Sequence, residues 1–160
     1  MAGRPPPLHH ITKEKIMRVI IREEGIEYPT TGAPKIRTPK DASIQCQEIK
    51  ESETEQFCVL VLDVKNRLKV AEIVTSGLAD ACLVHPREVF RTAVREGGAA
   101  IVLLHNHPSG DTTPSAEDIR ITKQLIAAGR ILDINVLDHV IIGANHKPCS
   151  LREDGLADFR

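Results

Sequence analysis

Residues 99–128 read AAIVLLHNHPSGDTTPSAEDIRITKQLIAA, and three different signals follow one another there. Ala99–Leu104 is apolar without alternation, the composition of a strand buried on both faces. HNHPSGDTTPS, which follows, concentrates Pro, Gly, Ser, Thr and Asp and reads as a loop. A helix is then predicted from Ala116 to Ala128, with Ile121, Leu125 and Ala128 on one face and Gly129 closing it. The flanking sequence continues the alternation. Upstream, Gln56–Leu62 (QFCVLVL) and Leu68–Thr75 are β-rich runs separated by the polar segment Asp63–Arg67, a hairpin pattern. Pro86 suits the first turn of a helix reaching Glu96, where Gly97-Gly98 stops it. Downstream, Ile134–Ile142 is apolar again, and Pro148–Leu151 suits a short last strand. Strand pairs mixed with helices predict an α/β or α+β sandwich around one sheet.

The N-terminal third is less regular. MAGRPPPLHH, residues 1–10, reads as a mobile tail, and Met17–Arg22 as a short strand. Residues 23–41 are rich in Pro, Gly and Thr and read as a loop. Thr38 is placed as the N-cap of a helix from Pro39 to Ser52, with Asp41 completing a capping box. We therefore expect a tail and strand over residues 1–35 and one folded domain over 36–156.

The chain has 160 residues, enough to bury roughly 70% of its unfolded surface without disulfide or metal. Lys and Arg number 21 against 22 Asp and Glu, a formal charge of −1, which argues against a general nucleic-acid or anionic-membrane footprint. The aromatic residues are Tyr28, Phe57, Phe90 and Phe159, too few for a base-stacking platform. Cys46, Cys58, Cys82 and Cys149 contain no CxxC pair, which argues against a disulfide framework or a cysteine zinc site. Cys58 and Cys82 lie in apolar runs, as small buried hydrophobes do. With no long apolar span and no signal-like start, a soluble cytoplasmic protein without membrane contact is expected.

The chemistry concentrates between Leu104 and Asp118. His105 and His107 are two residues apart at a strand end, so both imidazoles face one side while Asn106 faces the other. Asp118 lies in the first turn of the next helix, which the loop can fold back over the strand end. Two imidazoles and a carboxylate make three zinc ligands and leave a tetrahedral position for water, a catalytic rather than structural arrangement. Ser115 and Asp118 alone would be read as an ordinary N-cap pair. His9 and His10 can bind metal only adventitiously.

His105-x-His107, seven residues, Ser115, two residues, Asp118 is the pattern of the JAMM, or MPN+, metalloprotease motif. Val84–Phe90 (VHPREVF), HNHPSGD, TPSAEDI and Leu137-Asp138-His139 resemble the RadC-type branch of that superfamily in style and order, over about residues 36–156. The resemblance implies an α/β (α+β) JAB/MPN fold, a mixed sheet flanked by helices, with one zinc ion held by His105, His107 and Asp118, and hydrolysis of an amide bond. It implies a glutamate general base before the first core strand, matched by Glu55. Chain position alone leaves Glu51, Glu53 and Glu88 as candidates, with Glu88 next in order. It gives the Ser115 hydroxyl the role of donor to a developing oxyanion. The helix-hairpin-helix module that precedes this domain in longer members is not expected within residues 1–35.

Neighbouring residues carry weaker signals. Asp111 and Thr113 can buttress the loop or simply form a turn. His85 can start a helix, His139 reads as a satisfied core histidine, and Asp138 can orient a ligand imidazole. Arg87, Arg91 and Arg95 form a stripe at helical spacing, read as solvated. The expected partner is a protein or peptide substrate; charge does not support nucleic acid. A non-hydrolytic adaptor in a DNA-repair or mobile-element system, and a zinc enzyme acting on nucleic acid, are the competing readings.

Overall fold

Apolar residues at consecutive positions in a strand need partners on both sides of the sheet, and that requirement shapes the molecule. A computed structural model describes residues 26–27, 32–76 and 84–160. In chain order the elements are β1 (Ile26–Glu27), α1 (Pro39–Gln45), α2 (Gln47–Lys50), β2 (Gln56–Leu62), β3 (Leu68–Ser76), α3 (Pro86–Arg95), β4 (Ala100–Asn106), α4 (Ala116–Leu132), β5 (Asn135–Ile142) and β6 (Cys149–Ser150). The six strands form one sheet in the order β1-β3-β2-β4-β5-β6. β4 and β5 are parallel and joined by α4; the other pairs are antiparallel. This is the mixed sheet flanked by helices expected from the sequence. The strand expected at Met17–Arg22, the tail with His9 and His10, and Cys82 lie outside the described residues.

β2 and β4 are buried on both faces. Cys58, Leu60 and Leu62 pack with Val102, Leu104, Ala42, Cys46 and Ile49 on the α1–α2 side. Val59 and Val61 pack with Ile101, Leu103, Phe90, Ile121 and Leu125 on the α3–α4 side. The thiols of Cys46 and Cys58 lie 3.4 Å apart in the first of these cores, unbonded.

Local details differ from expectation where tertiary contacts decide. The single helix expected over Pro39–Ser52 divides at Cys46. There the backbone tightens into bonds that reach back three residues, Cys46 N–H to Ser43 O and Ile49 N–H to Cys46 O, both 3.2 Å. That tightening turns both Cys46 and Ile49 into the core. The segment read as loop before Asp41 contributes β1 to the sheet edge and buries Ile36. Gly129 does not close α4. The helix runs on to Leu132 and ends at Asp133, whose φ of 56° is the left-handed conformation of a helix stop. A Cβ on Gly129 would meet the Ile134 carbonyl oxygen at 2.5 Å, so the glycine serves close packing of α4 on β5.

Candidate metal centre

β4 outlasts its apolar run. His105 and Asn106 are strand residues, and His107 N–H still bonds the Ile142 carbonyl of β5 at 2.9 Å. The loop after His107 is held against the end of β5. Gly110, at φ 84°, backs onto Gly143, where a Cβ would lie 2.2 Å from the Gly110 oxygen. Thr112 Oγ1 donates to the Lys147 carbonyl at 3.2 Å. The loop therefore returns α4 with its N-terminus above the strand end.

That N-terminus carries a full capping box. Asp118 N–H donates to Ser115 Oγ at 3.0 Å, and Ser115 N–H donates to Asp118 Oδ2 at 2.7 Å. The cap turns the Asp118 carboxylate toward the histidines. Oδ1 lies 3.2 Å from His105 Nε2 and Oδ2 lies 3.5 Å from His107 Nε2. The two Nε2 atoms are 2.9 Å apart. His105 and Asp118 are buried, and His107 is half-buried.

The electrostatics suit a cation. Burial pushes the Asp118 carboxyl up, but hydrogen bonds with His105 and His107 outweigh it and hold the group well below the usual carboxylate range. The bond to Asp118 raises the His107 pKa against burial, with the Asp111 carbonyl and the charge of Glu55 adding to it. His107 Nδ1 is 2.6 Å from the Asp111 carbonyl, which can only accept, so Nδ1 carries the proton and Nε2 faces the carboxylate. Among the described residues, the ion pairs of Asp118 are with these two histidines. His105, His107 and Asp118 thus converge with donor atoms within 4.8 Å of one another, a group that could hold a metal ion. Two imidazoles and a carboxylate are a donor set that fits zinc.

Glu55 immediately precedes β2. Phe57 pairs with His105, and continuing that antiparallel register two residues sets Glu55 opposite His107. The other candidate acids sit differently. Glu51 and Glu53 are exposed, and Glu88 is engaged by Arg87 at 3.4 Å and Arg91 at 2.9 Å. Arg95 pairs with Glu72 and Glu96, so the arginine stripe on α3 is satisfied by its own neighbours. His85 is the N-cap residue of α3 and exposed. Asp111 accepts from Thr113 N–H and Oγ1 at 2.9 and 2.7 Å, an Asx turn whose carbonyl meets His107.

Asp138 does not orient an imidazole ring. Its oxygens accept from Ser150 Oγ, Arg152 N–H and its neighbour's His139 N–H, and burial raises its pKa. His139, fully buried, is the residue behind His105: its Nε2 lies 2.8 Å from His105 Nδ1. Phe57 stacks on His105 with centroids 6.0 Å apart and meets His139 edge-on. Asn106 has a function of its own. Its Oδ1 accepts from Gln56 N–H at 2.7 Å, and its Nδ2 donates to the carbonyls of Ser52 and Thr54 at 3.3 and 3.1 Å. It thereby grips the backbone on both sides of Glu55. The available signal was an amide within a fully buried strand, which must find partners.

No helix among the described residues is long and apolar enough to cross a membrane. Residues 36–156 match the RadC-like JAB domain family. A UPF0758 protein of Bacillus mycoides is 48% identical over 121 residues, 75% of this chain and 53% of the relative. One from Desulforudis audaxviator is 46% identical over 129 residues, 80% of this chain and 56% of the relative. One from Methanosarcina mazei is 43% identical over 122 residues, 76% of this chain and 53% of the relative. The chain spans about half the length of these curated relatives. On the match across most of its length, the chain belongs to the RadC-like JAB domain family.

Proposed function

We propose that this chain is a zinc-dependent hydrolase of amide bonds, peptide or isopeptide, with His105, His107 and Asp118 holding one zinc ion. The observation that carries the reading is the convergence of these three side chains, donor atoms within 4.8 Å of one another and His105 and Asp118 buried, beside Glu55. When bound, zinc supplies Lewis-acid polarisation of a carbonyl and lowers the pKa of water toward about 7. Glu55 serves as general base, taking a proton from the attacking water and delivering it to the leaving amine. Ser115 spends its oxygen on the cap, which leaves its hydroxyl hydrogen for the oxyanion that develops at the N-terminus of α4. The substrate class we propose is protein or peptide.

The test combines metal analysis with cleavage of peptide and isopeptide libraries. Wild type is expected to hold stoichiometric zinc, and His107→Ala to lose it while remaining folded. Glu55→Gln should keep the metal and lose turnover, because an amide cannot take the proton. Full zinc in His107→Ala moves the site elsewhere, and wild-type turnover by Glu55→Gln removes that residue from the mechanism. Full complementation of a deletion by Glu55→Gln would favour the adaptor reading instead.

A further inference from the structure

Donors and acceptors behind His105 admit one arrangement. Thr122 Oγ1 lies 2.5 Å from the Asp118 backbone carbonyl, which carries no hydrogen, so the hydroxyl donates there. Having spent its single hydrogen, the same oxygen can only accept from His139 Nδ1, also 2.5 Å away. His139 is fully buried and its ring has no carboxylate among its bonded partners, so the ring is neutral with Nε2 bare. That nitrogen therefore accepts from His105 Nδ1–H at 2.8 Å. The remaining nitrogen of His105, Nε2, faces Asp118 Oδ1 at 3.2 Å and His107 Nε2 at 2.9 Å; it donates to the carboxylate when the ring is protonated and presents a lone pair when the ring is neutral. The path closes on itself: it leaves Asp118 by the side chain and returns to Asp118 by the carbonyl.

We propose that His139 and Thr122 are positioning residues that lock His105 in the Nδ1–H tautomer and hold its Nε2 lone pair aimed at the metal position. Neither touches the three converging donor atoms; both act through His105. The inference deepens the metal-site reading above and rests on it. Register makes the relay: β4 and β5 pair in parallel, with Leu103 opposite His139, and α4 connects the two strands. All four residues thus belong to one strand-helix-strand unit. Ligating histidines ordinarily donate their second N–H to a partner that fixes the ring, and loss of such a partner typically costs about 10–100-fold in metal affinity.

The experiment reads the tautomer directly and the affinity separately. Long-range proton–nitrogen correlation NMR on the metal-free protein, above about pH 8, where an ordinary imidazole is neutral, should report Nδ1–H for His105 and His139. Thr122→Val keeps the shape of the side chain but removes the hydroxyl. It should release the His139 tautomer and weaken zinc binding about 10–100-fold in a competition titration. Thr122→Ser should restore both readouts. His139→Gln, whose amide oxygen can accept from His105, should bind zinc more tightly than His139→Leu. An Nε2–H tautomer for His105 in the wild type overturns the relay, whatever the zinc titration gives. So does wild-type affinity in Thr122→Val. Failure of the wild type to bind zinc while His105 remains Nδ1–H would overturn the metal reading and leave the relay geometry standing.

Discussion

Asn106 and the histidines on either side of it divide two tasks by strand alternation. The imidazoles face the α3–α4 side, where α4 delivers Asp118. The amide faces the opposite side and bonds backbone groups some fifty positions earlier in the chain. Because Asn106 is fully buried, its three bonds have no water to replace them. Asn106→Ala should strand the Gln56 N–H and two carbonyls, at a cost of about 3 kcal/mol. Zinc should remain, since no ligand moves, while turnover falls because the Glu55 segment is released. Thermal melting, metal analysis and a cleavage assay on the same preparation check this. Parallel losses of zinc and activity would make Asn106 a support for the ligands rather than for Glu55.

At the scale of elements, Gly129 and the β2–β3 hairpin make opposite points about reading a sequence. Gly129 looks like a helix stop because glycine terminates helices so often, yet its neighbours in space, Ile134 and Phe90, make it an interior packing position. Exchange for alanine at an exposed helix site gains about 1 kcal/mol. Here the added methyl group meets a backbone carbonyl, so Gly129→Ala should instead destabilise by roughly 1–3 kcal/mol. A higher melting temperature for this variant would mean that α4 can shift off β5. The hairpin, in contrast, was legible, because its signals are local. Asp63 accepts from Lys65 N–H and Arg67 N–H at 2.8 and 2.9 Å and pairs with Arg67 Nε at 2.7 Å. The Arg67 backbone bond leads the interactions that lower its pKa to about 2. A carboxyl lowered on folding adds stability above its unfolded pKa, near 4, and loses it as pH falls through the folded value. Asp63→Asn should therefore be less stable than wild type at neutral pH, with the gap closing between about pH 4 and 2. An equal gap at both ends, followed by denaturant melts, would exclude the ionised form as its source.

Across the whole molecule, legibility follows sequence distance. His105, His107, Ser115 and Asp118 span fourteen positions, and the period of a strand plus the grammar of a helix cap suffice to bring them together. The relay through Thr122 and His139 depends on the register between two parallel strands, and the break at Cys46 on which side chains the core accepts. Neither is written in local pattern. The same core decides what metal does for stability. Apolar clusters on both faces of the sheet are built from residues outside the ligand set, so folding needs no ion. Chelated protein should keep its native circular dichroism and melt cooperatively. Zinc that binds only the folded state then adds RT ln(1 + [Zn]/Kd), about 4 kcal/mol at a thousandfold excess over Kd. For a domain of this size that is a rise on the order of 10 °C. His107→Ala, which removes one ligand and leaves both cores intact, should melt close to the chelated wild type and gain nothing from added zinc. A chelated protein that is unfolded would place the metal among the forces that make the fold, and an equal rise in His107→Ala would remove His107 from the ligand set.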